Sequence, residues 1–405
     1  MKKLLLPLLL TLGFLTGCVA PEMKLRVYLE ETTPLKVAAM LPVSGKNRIY
    51  AEQMREGLVF AAEEINANGG INKRKLQLEI LDTCGTAAGT RAAIDKAIAL
   101  NTVAIIAGYD TKEVGMIISN ASALRMPTVI PLATSDYHVQ ESPFVYRNCY
   151  SDAQQMEVLA AYLHYWRNLR RGALLIDPVG DLDYSRSVAR DLEQSMKDQG
   201  DEVVYKNSLP QDGSLPQEFI RDILAADPQF VFVPASGKRI AQILKALRNA
   251  GFNGIICGPD SWDDTEFIAE LVDTEPGDCI YTAFFSKENT SAEYEKFSKD
   301  FRAKYFHQPD ACSTQSYDAL KFLAIGLSNA DNLHKFDRNW RTIRNHAGAA
   351  AVYTMLKKGD IDRTVYLNSI GVYRGKRLIP YARLSKKLQY SKIQDYRITE
   401  SPEKL

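Results

Sequence analysis

The chain has 405 residues, of which 46% are hydrophobic and 24% are charged. This length and composition are typical of a folded protein with two domains or lobes rather than one. Fifty basic residues against forty-nine acidic residues leave a net charge of +1, which excludes an overall field that would attract nucleic acid or anionic lipid.

The N-terminus has the pattern of a secretion signal. Lys2 and Lys3 precede an apolar run over residues 4–15, which is shorter than the ~20 residues that a membrane-spanning helix needs. The run ends in Leu15-Thr16-Gly17-Cys18, which resembles the lipobox of bacterial lipoproteins. We therefore expect a signal peptide over 1–17 and a diacylglyceryl group on the Cys18 thiol; the alternative is an ordinary cleaved signal beside a chance cysteine.

A lipid on Cys18 would hold the mature protein at the periplasmic face of a membrane in the cell envelope. Residues 18–34 are then expected to act as a tether. Later segments have too few consecutive apolar residues to span a bilayer, so any transport needs partner proteins. The sequence does not indicate which membrane holds the anchor.

From residue 36 onward, short runs rich in Val and Ile alternate with segments of helical periodicity, the pattern of βαβ units. In the first half of the chain the pattern predicts strands at 36–41, 76–82, 103–107 and 128–131, and helices at 50–68, 86–100 and 112–124. In the second half it predicts strands at 173–177, 202–206, 230–234 and 254–257, and helices at 153–166, 185–199, 216–226 and 238–249.

In the last third of the chain the pattern predicts helices at 292–305, 314–328 and 339–357 and a hairpin over 364–380. It shows too few strand signals there for a third sheet. The fold class is therefore α/β, with two Rossmann-like lobes, parallel-type sheets and a cleft between the lobes. We expect the chain to divide into lobe 1 and lobe 2 as follows: lobe 1 at 35–147 and 284–357, and lobe 2 at 148–283 and 358–405.

Five cysteines follow Cys18, an odd number for an oxidising compartment. They are Cys84, Cys149, Cys257, Cys279 and Cys312. The first candidate for a disulfide is the Cys257 to Cys279 pair. The cysteines form no CxxC pair and the five histidines are scattered, so we expect neither a metal site nor a cofactor.

In open parallel sheets, ligands bind beyond the carboxyl ends of the strands. This rule selects four loops, at residues 42–50, 108–111, 132–136 and 258–262.

The same loops carry a resemblance to the leucine/isoleucine/valine-binding proteins and their relatives among type I periplasmic solute-binding proteins. The resemblance covers about residues 35–381. It is carried by KVAAMLPVSG at 36–45 with Tyr50, AAEEINANGGI at 61–71, AGY at 107–109, MPTVIPLATS at 126–135 and CGPDS at 257–261. Each motif is degenerate alone, but together, in this order, they indicate the fold strongly and the ligand less strongly.

The resemblance implies that an α-amino acid binds between the lobes. Thr111, Thr134 and the backbone of Leu132 would hold its carboxylate, and Asp260 would pair with its ammonium group. Tyr50 and Tyr184 would line the ligand from either lobe. Neutral donors can satisfy a carboxylate, and one aspartate matches one ammonium group.

Four further candidates for ligand contact are Ser44, Tyr109, Ser135 and Trp262. The candidates also have structural interpretations: Thr134 and Ser135 can cap a turn, Asp260 can cap a helix that begins near Trp262, and the aromatic side chains can pack in the core or at a rim.

Asp110 departs from the family pattern, which usually has a hydroxyl or small residue there. If Asp110 and Glu113 form a D-x-x-E capping box, the charge serves the next helix. If Asp110 faces the cleft instead, it would repel a carboxylate, and the ligand would be cationic or lack a carboxylate.

The resemblance implies a non-enzymatic, monomeric receptor that closes on its ligand and delivers it to an ABC permease in the inner membrane. The chain has no P-loop, so ATP would be hydrolysed elsewhere. Alternatives are a sensory receptor of the same fold and a receptor for amides, urea-like compounds or aromatic acids. An envelope enzyme is disfavoured, because the sequence lacks G-x-S-x-G, H-E-x-x-H and a G-x-G-x-x-G after the first strand.

Overall fold

The computed structural model describes residues 33–139, 143–271, 276–285, 291–356, 359–363, 365–370, 382–386 and 396–400. They form an α/β protein of two lobes, as the sequence predicts. No helix within these ranges is both long enough and apolar enough to cross a bilayer.

The first lobe is built on a five-stranded sheet in which every pairing is parallel. Its strands are β1 (Leu35–Leu41), β2 (Leu76–Asp82), β3 (Ala104–Ile106), β4 (Thr128–Ile130) and β5 (Val145–Arg147), in the order β2-β1-β3-β4-β5. The helices between them are α1 (Arg48–Ala67), α2 (Ala87–Ala99) and α3 (Thr111–Leu124). The inner strands β1, β3 and β4 are buried almost throughout, which explains their continuous apolar runs.

The second lobe is built on an eight-stranded sheet with the order β16-β15-β14-β10-β9-β8-β6-β7. Its parallel part consists of β6 (Arg171–Ile176), β7 (Glu202–Ser208), β8 (Phe230–Phe232), β9 (Ile255–Gly258) and β10 (Cys279–Ala283). Its helices are α4 (Asp152–Ala161), α5 (Leu182–Gln199), α6 (Gln217–Ala225), α7 (Lys238–Asn249) and α8 (Thr265–Glu270). A π-helical turn over Tyr162–Trp166 follows α4, where the sequence predicts one continuous helix.

Helices from the last third of the chain return to the first lobe. They are α9 (Ala292–Tyr305), α10 (Ala311–Leu327) and α11 (Leu333–Trp340). α1 and α10 pack so closely that a Cβ atom on Gly57 would lie 2.0 Å from the carbonyl oxygen of Ser313, so only glycine fits there. The ring of Phe60 on α1 also contacts Phe297 and Phe301 on α9.

A third sheet follows α11, so both the helix predicted over 339–357 and the expected absence of such a sheet are wrong. Its strands are β11 (His346–Ala347), β12 (Val352–Met355) and β13 (Ile361–Arg363). The alanine-rich segment between β11 and β12 has helical propensity, but the buried Asp318 carboxylate accepts hydrogen bonds from the N–H groups of Ala349 and Ala350, both at 2.8 Å. These tertiary contacts hold the segment in a turn and override its local preference.

The antiparallel edge of the second sheet consists of β14 (Tyr366–Ile370), β15 (Ala382–Lys386) and β16 (Tyr396–Glu400). β14 pairs with β15, as in the hairpin predicted over 364–380, although the turn around Arg374-Gly375-Lys376 lies outside the described residues.

The chain passes between the lobes after β5, after β10 and after β13, and the buried side chain of Arg363, at the start of the third connection, contacts the other two. The guanidinium of Arg363 donates to the carbonyl oxygens of Asn148 (3.1 Å) and Phe284 and to Oε1 of Gln315 (2.7 Å). It also lies 5.3 Å from the centre of the Tyr150 ring. These contacts define the hinge. The exact division of the chain between the lobes stays a prediction.

All five cysteines after Cys18 are free, so the predicted disulfide between Cys257 and Cys279 is wrong. The two residues are on neighbouring strands, but the register pairs Cys279 with Ile256 and Cys257 with Ile280. Since successive side chains of a strand point to opposite faces, the two thiols lie on opposite faces of the sheet.

Candidate functional site

A cavity of about 130 Å³ lies between the lobes, at the carboxyl ends of the strands of both sheets. At roughly 10–15 Å³ for each water-sized group, it has room for about ten such groups. The side chains of its wall that bear on chemistry are Lys46, Tyr50, Tyr109, Asp110, Thr111, Thr134, Asp177, Asp181, Tyr184, Asp260, Asp263, Asp264, Phe284 and Cys312. The cavity therefore has the position that the strand-end rule predicts.

Asp260 begins a short 3₁₀ turn after β9 and lines the cavity from the second lobe. Its Oδ1 accepts a hydrogen bond of 2.5 Å from the hydroxyl of Tyr184, and its backbone N–H donates to Oε1 of Gln155 at 3.2 Å. Burial raises the pKa of Asp260 to about 6. Its ionised form is thus disfavoured in the empty cavity, and a bound cation would favour it.

Two tyrosines of the first lobe form a flat wall of the cavity. The rings of Tyr50 and Tyr109 stack with their centres 4.5 Å apart and their planes within 5°. The Tyr50 hydroxyl donates to Asp264 of the second lobe, so this contact crosses the cleft. Burial raises the pKa of both tyrosines above the ordinary value, which keeps both phenols neutral.

The three residues predicted to hold a ligand carboxylate, Thr111, Leu132 and Thr134, also line the cavity. The backbone N–H of Thr111, however, donates to Oδ2 of Asp181 at 3.3 Å. The backbone N–H of Asp152 donates to the carbonyl oxygen of Thr134 at 3.0 Å, and burial raises the pKa of the Asp152 carboxyl to about 7. The N–H of Thr111 therefore already serves a carboxylate of the protein.

Asp110 has features of both predicted alternatives, since it caps a helix and also borders the cavity. Its Oδ1 accepts from the N–H groups of Lys112 (2.9 Å) and Glu113 (3.4 Å) and so caps α3, and the residue also borders the cavity. In a complete capping box, the Glu113 carboxylate would accept from the backbone N–H of Asp110. It accepts instead from the hydroxyl of Thr83 at 2.8 Å. Burial, and then the nearby Asp181, raise the pKa of Asp110.

Three of the predicted contacts lie off the cavity wall. Ser44 donates to the Asp82 carboxylate through its N–H (3.1 Å) and its hydroxyl (2.7 Å). Ser135 is buried and its carbonyl accepts from the N–H of His138. Trp262 is fully buried, and its Nε1 donates to the carbonyl of Val233 at 2.7 Å. Structural contacts within the protein account for the side chains of Ser44 and Trp262.

The sequence argument missed seven residues of the wall that bear on its chemistry: Lys46, Asp177, Asp181, Asp263, Asp264, Phe284 and Cys312. Asp177 and Asp181 follow β6, so the strand-end rule would have found them if it had been applied to every predicted strand. Asp264 is the N-cap of α8 and accepts from the N–H of Phe267 at 2.9 Å, a role that the sequence analysis considered for Asp260. Cys312 lies on α10, and no strand-end pattern points to it.

Within the described part of the chain, no group of three or more His, Cys, Asp and Glu side chains is arranged to hold a metal ion. The aspartates of the cavity are partnered instead by hydroxyl, amide and guanidinium groups. Asp177, for example, lies 3.5 Å from Nε of Arg239.

Comparison with known proteins identifies relatives of one kind. The Leu/Ile/Val-binding protein BraC3 of Rhizobium johnstonii is 25% identical over 80% of this chain and 84% of its own length. The crystal structure of the leucine-binding protein LivK of Thermotoga maritima superposes with a TM-score of 0.75 at 23% identity, over 84% of this chain and 96% of that one.

The branched-chain amino acid substrate-binding protein LivJ of Streptococcus pneumoniae, solved with isoleucine, has a TM-score of 0.74 at 19% identity, over 86% of this chain and all of that one. These relatives are solute-binding proteins and not enzymes, and the resemblance drawn from the sequence is confirmed. A family model described as periplasmic binding protein matches residues 34–362. The chain therefore belongs to the periplasmic binding protein family.

Proposed function

We propose that this protein is the solute-binding component of an ABC importer, that a lipid on Cys18 holds it at the membrane, and that it closes around a small solute bearing an ammonium group. Membership of the family implies an extracytoplasmic location. The relatives named above are Leu/Ile/Val-binding, leucine-binding or substrate-binding proteins, which supports amino acids and related amines as the first class of ligand to test.

The observation that carries the proposal is the inter-lobe cavity with Asp260 on its wall. A carboxylate that burial keeps partly protonated gains most from a cationic partner, since the pair forms in a medium that water screens weakly. The stacked rings of Tyr50 and Tyr109 on the opposite lobe offer an apolar, electron-rich surface to the same ligand. Because each lobe supplies part of the wall, a bound solute would favour closure.

The test is a thermal-shift panel on the purified protein. The panel contains the standard amino acids, their amides, simple amines, urea and benzoate. A ligand at 100 times its dissociation constant adds ~2.7 kcal/mol to the stability of the folded state, so a true ligand is expected to raise the melting temperature by several degrees. The matched variant Asp260→Asn keeps the shape of the side chain and is expected to lose most of that rise.

A panel in which no compound raises the melting temperature would contradict the receptor proposal. An equal rise in wild type and Asp260→Asn would leave the receptor but remove Asp260 from its site.

The lipid anchor has its own test. Growing cells with labelled palmitate is expected to label the wild-type protein in the membrane fraction, because the Cys18 thiol is the proposed acceptor. The Cys18→Ala variant is expected to carry no label. The variant Cys84→Ala, which removes an exposed cysteine of the folded domain, is the control and is expected to stay labelled. Labelling that persists in Cys18→Ala would exclude Cys18 as the attachment site.

A further inference from the structure

The end of α3 that faces the cavity already holds an anion of the protein. The N–H of Thr111, the first residue of α3, donates to Oδ2 of Asp181 across the cleft at 3.3 Å. Oδ1 of the same carboxylate caps α5 by accepting from the N–H groups of Asp183 and Tyr184, both at 3.1 Å. A helix N-terminus is the usual place for an anionic ligand group, and here a single aspartate occupies two such ends, one from each lobe.

The charges of the wall point in the same direction. It contains six aspartates, and Lys46 is its one basic side chain among the residues that the structure describes. Arg239 behind the wall lies 3.5 Å from Asp177. Asp110, Asp181, Asp260 and Asp264 accept hydrogen bonds from N–H and hydroxyl groups, which stabilise a negative charge without cancelling it. Several buried carboxylates around one cavity repel each other, and a positively charged ligand would relieve that repulsion.

The aromatic side chains supply an independent indication. The stacked pair of Tyr50 and Tyr109 lines one lobe, while Tyr184 and Phe284 line the remainder of the cavity. The faces of aromatic rings attract ammonium and guanidinium groups, and rings combined with carboxylates are the usual protein receptor for an organic cation. Hydrophobic ligands would use the rings alone, but they would gain nothing from the aspartates between them.

We propose that the cavity binds a small organic cation without a free carboxylate, such as an amine or a guanidinium compound, and that Asp181 excludes the carboxylate of an ordinary amino acid. This inference rests on the proposed function and narrows its ligand class. An amino acid would place its carboxylate near Asp110 and Asp181, where the N–H of Thr111 is already occupied. The corresponding amine avoids that repulsion and keeps the contacts with Asp260 and the rings.

The test compares amino acids with their decarboxylated counterparts by calorimetric titration of the purified protein. Leucine is paired with 3-methylbutylamine, and lysine with 1,5-diaminopentane. Within each pair the side chain is constant, so only the carboxylate differs. At least one amine is expected to bind about tenfold or more tightly than its parent amino acid, because removing the carboxylate removes the repulsion from two aspartates.

The variant Asp181→Ser tests the residue that we hold responsible. Serine also caps helices well, so α5 keeps its N-cap, but its side chain is too short to reach Thr111 across the cleft. The preference for the amine over the amino acid is expected to fall about tenfold or more. Asp198→Asn removes a charge of the same sign from the exposed far end of α5, where Asp198 accepts from Gln194, and is expected to leave the preference unchanged.

Tighter binding of leucine or lysine than of the matching amine by the wild type would overturn the inference and leave the proposed function standing. An unchanged preference in Asp181→Ser, with circular dichroism matching the wild type, would overturn the role of Asp181. If none of the four probes binds, the inference is also overturned. The proposed function fails as well only if the wider thermal-shift panel gives no rise.

Discussion

At the hinge, the buried guanidinium of Arg363, at the start of the third connection between the lobes, donates to carbonyl oxygens of the other two connections and to Gln315 of α10. In the cavity a few residues away, the carboxylates of Asp110, Asp181 and Asp260 face Lys46 as the one basic side chain of the described wall. Both regions bury charge, but the hinge guanidinium has three hydrogen-bond acceptors and lies against three aromatic rings, whereas the Asp260 carboxylate accepts a hydrogen bond from Tyr184. The comparison teaches that a buried charge stabilises this fold where it is fully hydrogen-bonded. Where it is not, the charge lowers the stability of the folded protein but raises its affinity for a ligand.

The largest expected effect comes from breaking the hinge. Arg363→Met preserves apolar bulk but leaves the buried carbonyls of Asn148 and Phe284 without this donor. We expect a loss of about 3–5 kcal/mol in the free energy of unfolding, measured by urea denaturation. The control Arg341→Met removes a partly exposed i,i+4 ion pair with Asp337 at 2.7 Å, and the loss should stay below about 1 kcal/mol. Equal losses in the two variants would show that the hinge network adds no stability.

The next effect is a dependence on pH that the hinge does not share. Burial raises the pKa of Asp260 to about 6 and those of Asp152 and Glu113 to about 7. Between pH 4 and 7 the folded state therefore keeps protons that the unfolded state has released. By linkage, the stability of the ligand-free protein falls as the pH rises through this window, and one group shifted by one unit contributes about 1.4 kcal/mol.

The measurement is the melting temperature of the ligand-free protein at intervals from pH 5 to 8. Wild type is expected to lose several degrees across this range. Arg363→Met is expected to give a lower curve of the same slope, because a guanidinium stays protonated throughout. A wild-type curve that is flat or that rises from pH 5 to 7 would mean that these carboxyls ionise normally in the folded state.

The smallest of the three effects has the opposite sign from the hinge variant. Asp260→Asn still accepts a hydrogen bond from Tyr184, but it removes a carboxylate whose ionisation burial opposes. At pH 8 we expect the ligand-free variant to be about 1–2 kcal/mol more stable than wild type, and the difference should be smaller at pH 5 and vanish only below about pH 4. Urea denaturation at pH 8 and pH 5 measures it. If the variant is instead less stable than wild type at pH 8, the Asp260 carboxylate already has sufficient hydrogen-bond partners in the ligand-free fold, as Arg363 has at the hinge.

The sequence predicts the two-lobed α/β fold and the position of the cavity because both depend on local patterns. Buried parallel strands are continuous apolar runs, and the strand-end rule then locates Tyr50, Tyr109 and Asp260 on the wall. The small sheet at 346–363 was missed because an alanine-rich segment has helical propensity, and the buried carboxylate that overrides it, Asp318, is distant in sequence.

The chemistry of the cavity was harder to predict than its position. The resemblance implies Thr111 and Thr134 as donors to a ligand carboxylate, and both do line the cavity. The backbone N–H of Thr111, however, donates to Asp181. This pair joins residues far apart in the chain, so no sequence pattern reveals that the donor is occupied. In the sequence, Asp110 was the one residue that argued against a ligand carboxylate, because a fixed negative charge beside the expected carboxylate site would repel it.

The guanidinium of Arg363, which begins one connection and binds the other two, also constrains how the lobes can move. Connections that are joined by one rigid planar group cannot bend independently. We therefore expect the lobes to open by rotation about a single axis, with no intermediate in which only one connection has bent. Ligand capture would then be an all-or-none step. A transport partner would meet either a fully open or a fully shut receptor, and would need to distinguish only these two shapes.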